Sequence, residues 1–142
     1  MKIIGLDVGS KTIGVAISDA LGWTAQGLTT IKWDETKLSS ADKPLTHIIN
    51  EHEITKAVIG LPKNMDGSIG ERGKAVQRFA EHFANVHQLP TIFFDERLST
   101  MAAERTLLEA DMSRKKRAKV VDKVAAVVIL QNYLDMQSKG VT

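Results

Sequence analysis

The order of the apolar segments constrains the fold of this chain more than any other feature of the sequence. Residues 2–8 alternate in the way that a sheet strand with two usable faces does. One side of this strand is formed by Ile4, Leu6 and Val8, and the other by Ile3, Gly5 and Asp7. A turn at residues 9–11 leads to strand-like segments at 12–18 and 24–31. The first thirty residues therefore predict an antiparallel meander.

The rest of the chain alternates between helical and strand-like patterns. We expect a loop at 32–43, a helix beginning near Pro44, a strand at 57–61 and a Gly-rich loop at 63–73. The next helix has the buried stripe Val76, Phe79, Ala80 and Phe83, and a strand follows at 91–94. We then expect a helix from Ser99 or Thr100 to about Asp111, a basic loop, and a last helix from near Lys119 to Lys139. Such alternation requires crossover connections. The predicted fold is α/β, with a mixed five-stranded sheet and helices on both faces.

Length and composition narrow the class of protein. A chain of 142 residues with 43% hydrophobic content fits one globular domain, residues 1–142. Cysteine is absent, which excludes thiolate catalysis and disulfides and fits a reducing compartment. The sequence has neither a signal-peptide pattern nor an apolar run of transmembrane length. We expect a cytoplasmic protein without a membrane partner.

Three acidic residues stand at the ends of otherwise apolar segments: Asp7, Glu96 and Asp122. A carboxylate in such a place loses hydration, and is tolerated where a basic side chain or a metal ion compensates its charge. Sites in open α/β sheets form at the carboxyl ends of strands, where Asp7 and Glu96 are expected. Three converging carboxylates favour a divalent cation, and Mg²⁺ or Mn²⁺ suits oxygen ligands.

Other interpretations of these acids remain open at this point. Strand alternation sends Asp95 and Glu96 to opposite faces, and spacing alone does not say which of them joins Asp7. Arg97 can pair with either as an exposed ion pair that contributes little to stability. Asp122 is also explained as an acid that stabilises the first turn of a helix through its dipole.

Positive charge is concentrated before the last helix, although the net charge is only +2. The basic segment consists of Arg114, Lys115, Lys116, Arg117 and Lys119, with Lys123 close behind. Such a run is often no more than a solvated surface. Because it adjoins Asp122, an anionic polymer bound there would lie beside the acids, so the sequence favours a nucleic-acid partner.

A Gly-rich loop precedes the second helix, whose first backbone N–H groups attract phosphate. Predicted backbone-phosphate contacts at this loop are Lys63, Asn64, Arg72 and Lys74. Asp66 is a candidate for a further acid near a metal, but because it precedes a glycine the sequence favours a turn. The four histidines fall on helices or helix ends, and no Ser/His/Asp arrangement is expected: His47, His52, His82 and His87.

Four blocks in order resemble the YqgF family, also called RuvX-like, over essentially the whole chain. They are GLDVGSKTIGVAISD, VIGLPKNMDGS, FDERLST and VDKVAAVVIL. The resemblance implies an RNase H-like fold related to the RuvC resolvases. It implies a nuclease that processes the 5′ end of the 16S rRNA precursor, with Holliday junction resolution as an older assignment. By analogy it assigns the catalytic, metal-holding acids to Asp7, Glu96 and Asp122, and further site residues to Lys63, Asn64 and Arg97.

Several functions are weighed on these grounds. The first is a metal-dependent endonuclease that acts on structured RNA, for which a monomer or weak homodimer suffices. The second is a resolvase of branched DNA, which would need a two-fold dimer. The third is a non-cleaving assembly factor of a pre-ribosomal particle. Residues 7–15 also resemble the first phosphate loop of actin-like and sugar-kinase ATPases, but those folds need a second lobe for which this length leaves no room. With 5% aromatic residues, no stacking row separates RNA from DNA.

Overall fold

The computed structural model of the chain describes residues 2–98 and 114–138, with side chains at 2–98 and 123–138. The strands are β1 (Lys2–Val8), β2 (Thr12–Ser18), β3 (Ala25–Lys32), β4 (Ile54–Leu61) and β5 (Thr91–Asp95). The helices are α1 (Asp42–Glu51), α2 (Glu71–His87) and α3 (Arg114–Ser138), with short 3₁₀ turns at Leu38–Ala41 and Glu96–Leu98.

The strands form one mixed sheet in the order β3-β2-β1-β4-β5. β1 pairs antiparallel with β2, and β2 antiparallel with β3. β1 pairs parallel with β4, and β4 parallel with β5. The predicted meander followed by crossover connections is confirmed. Because parallel neighbours run in the same direction, the carboxyl ends of β1, β4 and β5 meet at one edge of the sheet, which we call the carboxyl edge.

The first face of the sheet is covered by α1 and α2. The Ile4, Leu6 and Val8 side of β1 contributes to a buried cluster here, as the alternation predicts. The helices contribute Leu45 and Ile48 from α1, and Val76, Phe79, Ala80 and Phe83 from α2. Both helices have the spacing of amphipathic helices with one apolar stripe, which is why they lie flat on the sheet.

The second face is covered by α3 alone among the described helices. Ala126, Ile129 and Leu130 are fully buried there in a cluster with Val58 and Phe94. The helix lies very close to the sheet. A Cβ at Gly5 would lie 2.7 Å from the Cβ of Leu130, so only glycine admits the helix at this distance. The Val-rich segment is helical, as its alanines and the absence of a breaker predict.

One side chain fastens α3 to the edge opposite the carboxyl edge. The Gln131 side-chain oxygen accepts a hydrogen bond from the backbone N–H of Ala25 at 2.9 Å, and its Nε2 donates to the carbonyl of Trp23 at 3.0 Å. Ala25 is the first residue of β3 and pairs with Ser18, the last of β2. The residues of α3 before Gln131 therefore run back toward the carboxyl edge.

Four expected boundaries were wrong. The Gly-rich loop expected at 63–73 ends before Glu71, where α2 already begins. Residues 32–43 are not all loop, because a 3₁₀ turn leads directly into α1 at Asp42, which leaves Pro44 in the first turn, where its missing N–H is not needed. β4 begins at Ile54, three residues early, because this 5% exposed side chain joins the core. The basic segment expected to be a loop is helical from Arg114, since Lys, Arg and Ala are strong helix formers.

Two further findings concern the helices. The helix expected between Ser99 and Asp111 lies outside the described residues. Of the helices in the described ranges, none combines the length and apolar content that a membrane crossing requires.

Candidate active site

A cleft of about 240 Å³ opens at the carboxyl edge of the sheet. It lies where the ends of β1 and β4 meet the segment after β5 and the first turn of α2. Its lining consists of Asp7, Val8, Gly9, Gly60, Pro62, Arg72 and Glu96. Two of the three acids singled out in the sequence therefore face the same small volume.

Asp7 and Glu96 reach the cleft for different structural reasons. Asp7 is the penultimate residue of β1 and is only 5% exposed, so its carboxylate is held within the sheet. Glu96 begins the 3₁₀ turn after β5 and extends over β4. A Cβ at Gly60 would lie 2.9 Å from the Glu96 side-chain oxygen Oε1. The glycine therefore leaves the space that the Glu96 carboxylate occupies.

The structure separates the two neighbouring acids Asp95 and Glu96. Asp95 is not among the residues that line the cleft. Its carboxylate instead accepts hydrogen bonds from Arg97, with Nη2 at 2.7 Å and Nε at 3.1 Å, and lies 3.8 Å from the ammonium of Lys63. The hydrogen bond from Arg97 lowers the pKa of Asp95, and the same bond raises that of Arg97. Asp95 serves to hold two cations at the rim, while Glu96 enters the cleft.

Asp122 is a helical residue of α3, one turn before Ala126. The carbonyl oxygen of Ala126 lies 3.3 Å from the position of a Cβ on Gly5. From Ala126 back to Asp122 the helix rises about 6 Å, and from Gly5 forward to Asp7 the strand rises about 7 Å. The backbone at Asp122 therefore lies on the part of α3 directed toward the carboxyl edge. Its side chain lies outside the described ones.

The loop between β4 and α2 is organised by its own polar side chains. Asp66 accepts hydrogen bonds from the backbone N–H and the hydroxyl of Ser68, at 2.9 and 2.6 Å, and the hydroxyl bond lowers the pKa of Asp66. Asn64 donates to the Ser68 hydroxyl at 2.9 Å, and Gly67 has a φ of +90° that suits a tight turn. Asp66 thus forms the expected turn. Nη1 of Arg97 lies 3.4 Å from the carbonyl of Met65, which ties the loop to the rim of the cleft.

Arg72 lies in the first turn of α2 and lines the cleft. Its Nη1 donates to Oε2 of Glu35 at 2.8 Å, and its Nη2 lies 3.5 Å from the carbonyl of Val8. The sequence predicts Arg72 as a phosphate contact but gives no sign of Glu35. The two residues are 37 positions apart, and no local pattern links a loop residue to a helix start at that distance.

The basic segment is only partly described. Arg114, Lys115, Lys116, Arg117 and Lys119 lie in α3, and their side chains are outside the described ones. The Lys123 side chain is described and runs along Gly27, with its Cγ 2.9 Å from the position of a Cβ there. Lys74, the remaining predicted contact, is exposed and pairs with Glu71 at 3.9 Å.

Comparisons with known proteins identify the family and the fold of the chain. A family model described as "RuvX: Holliday junction resolvase" matches residues 1–136. The chain belongs to the RuvX family. A 72% identical relative from Oceanobacillus iheyensis, named "Putative pre-16S rRNA nuclease", is covered over its whole length by 96% of this chain. A relative of the same name from Bacillus cytotoxicus is 59% identical, over 95% of this chain and 98% of its own length.

Solved structures extend the comparison to the fold. Thermus thermophilus RuvC in complex with a Holliday junction substrate matches with a TM-score of 0.62 at 10% identity, over 99% of this chain and 96% of that one. The fowlpox virus Holliday junction resolvase matches with a TM-score of 0.50 at 20% identity, over 98% and 99%. At such low identity the likeness concerns the fold alone. The RuvX-family chain has the RNase H-like fold of RuvC.

The donors in the RuvX-family cleft fit a hard divalent cation. Carboxylate oxygens are the ligands that Mg²⁺ prefers, and one or two of them suffice when substrate phosphates and water complete the shell. Within residues 2–98 and 123–138, no three His, Cys, Asp or Glu side chains converge as a metal site. In the described part of the chain, the cleft brings together two carboxylates of this kind, those of Asp7 and Glu96.

Proposed function

We propose that this chain, as a single domain of residues 1–142, is a hydrolase that cleaves phosphodiester bonds of nucleic acid internally with the help of Mg²⁺ or Mn²⁺. Its substrate is structured RNA, namely the 5′ region of the 16S rRNA precursor. The observation that carries the proposal is the meeting of the Asp7 and Glu96 carboxylates in one cleft at the carboxyl edge. The names of the curated relatives support the choice of substrate.

Asp7, Glu96 and Asp122 are the residues that would hold the metal. A bound divalent ion would act as a Lewis acid toward the phosphate oxygens and would lower the pKa of a water molecule bound to it. The protein's part is to fix the carboxylates before the substrate arrives. Asp7 is fixed by burial in the central strand, and Glu96 by the 3₁₀ turn and the space above Gly60.

Three cations and one amide around the cleft would bind the nucleic-acid backbone: Lys63, Arg72, Arg97 and Asn64. They come from the loop after β4, the start of α2 and the 3₁₀ turn after β5. The basic segment Arg114, Lys115, Lys116, Arg117 and Lys119 of α3 would add further phosphate contacts. Such contacts give affinity without reading the base sequence, so the sites of cleavage would follow from the shape of the RNA.

A second candidate is the resolution of branched DNA, which the description of the matching family model favours. Symmetric cleavage of a four-way junction requires two copies related by a two-fold axis. Processing of rRNA has no such requirement, and for it we expect a monomer or weak homodimer acting in the cytoplasm, on free precursor or on a pre-ribosomal particle.

The test compares both substrates under the same conditions. Wild-type protein and the Asp7→Asn and Asp122→Asn variants are incubated with a 16S precursor transcript and with a synthetic four-way junction, in Mg²⁺, in Mn²⁺ and with EDTA. Wild type should cut the transcript only when metal is present. Both variants should lose cleavage while remaining folded by circular dichroism, because they lose a metal ligand and not a packing group.

The other outcomes separate the candidates. Paired, symmetric cuts in the junction with an intact transcript would select the resolvase. Tight binding of the transcript by all variants without a product in either metal would select a non-cleaving assembly factor. Full activity of Asp7→Asn in EDTA would contradict any metal-dependent mechanism at this cleft.

A further inference from the structure

Arg72 takes part in two structural units at once. It lines the cleft beside Asp7 and Glu96, and its Nη1 forms a 2.8 Å ion pair with Glu35 from the loop after β3. The two side chains are 39% and 36% exposed. Ion pairs this exposed contribute little to stability, so stability alone gives little reason for Glu35 to hold the guanidinium across the rim.

The hydrogen bonding of Arg72 also does not favour a purely structural role. Within the described residues, its Nε is buried and has no hydrogen-bond partner, and its Nη2 contact to Val8 is long at 3.5 Å. A buried donor without an acceptor lowers stability. Of the guanidinium nitrogens, only Nη1 has a short bond, so Nη2 and the second hydrogen of Nη1 remain as donors for an anion in the cleft.

Glu35 is carried by a loop that is itself fixed to the cleft. The indole N–H of Trp33 donates to the carbonyl of Gly9 at 2.9 Å, and Gly9 lines the cleft. The two neighbours of Glu35 are joined to each other, because Asp34 accepts hydrogen bonds from the backbone N–H and the hydroxyl of Thr36 at 2.9 and 2.7 Å. The carboxylate of Glu35 thus starts from a well-defined point beside the end of β1.

We infer that Glu35 is a positioning residue for the nucleic-acid substrate: it holds the Arg72 guanidinium across the mouth of the cleft, where that group binds a backbone phosphate. The inference rests on the proposed function for the identity of the substrate. Glu35 acts only through Arg72. It restricts the flexible arginine before binding, so that less rotational freedom is lost when the phosphate arrives.

The test is a double-mutant cycle in binding, which does not require catalysis. All variants carry Asp7→Asn, and the probe is a fluorescein-labelled 16S precursor transcript titrated at several salt concentrations. We expect Arg72→Gln to weaken binding about 5- to 10-fold and to reduce the salt slope by about 1, as the loss of one phosphate contact does. Glu35→Ala should weaken binding several-fold, and Glu35→Gln, which keeps an acceptor for Nη1, should weaken it less.

Coupling between the two positions decides the matter. If Glu35 acts through Arg72, the double variant Glu35→Ala, Arg72→Gln binds no more weakly than Arg72→Gln alone. Glu71→Gln is the matched control, because it removes the same charge from an exposed neighbour of Arg72. It should leave the affinity within about twofold of its parent, in keeping with the small weight of exposed ion pairs.

Three results would overturn the inference. They are tighter binding by Glu35→Ala, which would mean that Glu35 only masks the arginine; additive losses in the double variant; and no loss in Arg72→Gln. Cleavage by the wild type, measured separately, reports on the proposed function. A wild type that binds but does not cut leaves the cycle readable, so the two failures are distinguishable.

Discussion

The two faces of the sheet are packed in different ways. The face under α1 and α2 is filled by large side chains: Phe79 meets Trp33 edge to face at 5.2 Å between ring centroids and Phe83 at 5.8 Å. The face under α3 buries large side chains such as Ile129 and Leu130 as well, but these pack directly over two glycines of the sheet, Gly5 and Gly60.

This difference separates the residues that provide the stability of the fold from those that fix the geometry of the cleft. Bulky side chains on the α1 and α2 face bury much apolar surface, and this provides the driving force for folding. The α3 face also buries large side chains, but its glycines bring a helix close to the sheet beside the place where the carboxylates meet. Substitutions of the large side chains on the first face should therefore lower stability, and substitutions of the glycines on the second face should lower activity.

The largest effect is expected from Phe79→Ala on the α1 and α2 face. Phe79 is 1% exposed, and removing such a ring costs about 3–5 kcal/mol of unfolding free energy. Urea unfolding followed by circular dichroism measures the loss, and Val86→Ala on the same helix, where the side chain is 43% exposed, is the control. Cleavage by the protein that remains folded should be near wild type. A loss below about 1 kcal/mol would break the comparison, since it would be no more than a typical point mutation.

The opposite pattern is expected from Gly60→Ala on the α3 face. The added Cβ would displace the Glu96 carboxylate and the Ile129 side chain. A shift of about 1 Å in a site residue can cost about 100-fold in rate, so we expect cleavage to fall about 10- to 100-fold. Single-turnover cleavage measures this. Gly70→Ala adds the same methyl group where it meets only Asn64 at 3.7 Å, and it should cleave normally. Equal rates for the two variants would remove Gly60 from the site.

A smaller effect, on thermal stability, should test whether the metal binds at the cleft on the α3 face. Binding to the folded state alone raises stability, by about 1 kcal/mol when the free Mg²⁺ is about five times its dissociation constant. Thermal unfolding of wild type should therefore rise by a few degrees on addition of Mg²⁺. Asp7→Asn should lose this increment, whereas Asp66→Asn, in the neighbouring loop, should keep it. The same increment in Asp7→Asn would place the ion elsewhere.

The smallest effect concerns the pH dependence of the α1 and α2 face. Burial lowers the pKa of His87, and Asp42 and His82 are the charged groups that act on it. The folded state thus binds this proton more weakly than the unfolded chain, in which the value is near 6.5. Stability should be full above that pH and fall as the pH drops below it, until folded His87 is also protonated.

Urea midpoints between pH 7.5 and 5 test this expectation. His87→Gln should flatten the dependence, since the variant has no proton to gain at this position. His47→Gln is the control, because the His47 side chain is 77% exposed and pairs with Glu51 on the same helix. An unchanged pH slope in His87→Gln would show that the buried ring does not titrate differently on unfolding.

Much of the fold could be predicted because local pattern and tertiary role agree. Alternation in β1 assigned Ile4 and Asp7 to opposite faces, and the structure has both apolar faces covered. The stripe of α2 was confirmed at all four positions. The start of α3 was missed, because positive charge was taken as the mark of a loop, whereas the helix propensity of Lys, Arg and Ala prevails there.

The site was less predictable, because it depends on contacts between residues that are far apart in the sequence. Asp7 and Glu96 follow from the rule that sites form at the carboxyl ends of strands. The choice between Asp95 and Glu96 does not follow from alternation, because the chain turns into a 3₁₀ helix at Glu96 and alternation ends. Glu35 was not predicted at all, since the ion pair that connects its side chain with the cleft is formed with a residue 37 positions away in sequence.

The hydrogen bonds of the Gln131 amide determine how a small tilt of α3 would move its distant end. It fastens the helix at the edge of the sheet opposite the cleft, and from there to Asp122 the helix rises about 14 Å. A tilt of about 5° at the fastening would swing the far end by about 1 Å, which is enough to spoil alignment for phosphoryl chemistry. Accuracy of the nuclease would then be governed by an amide remote from every reacting atom.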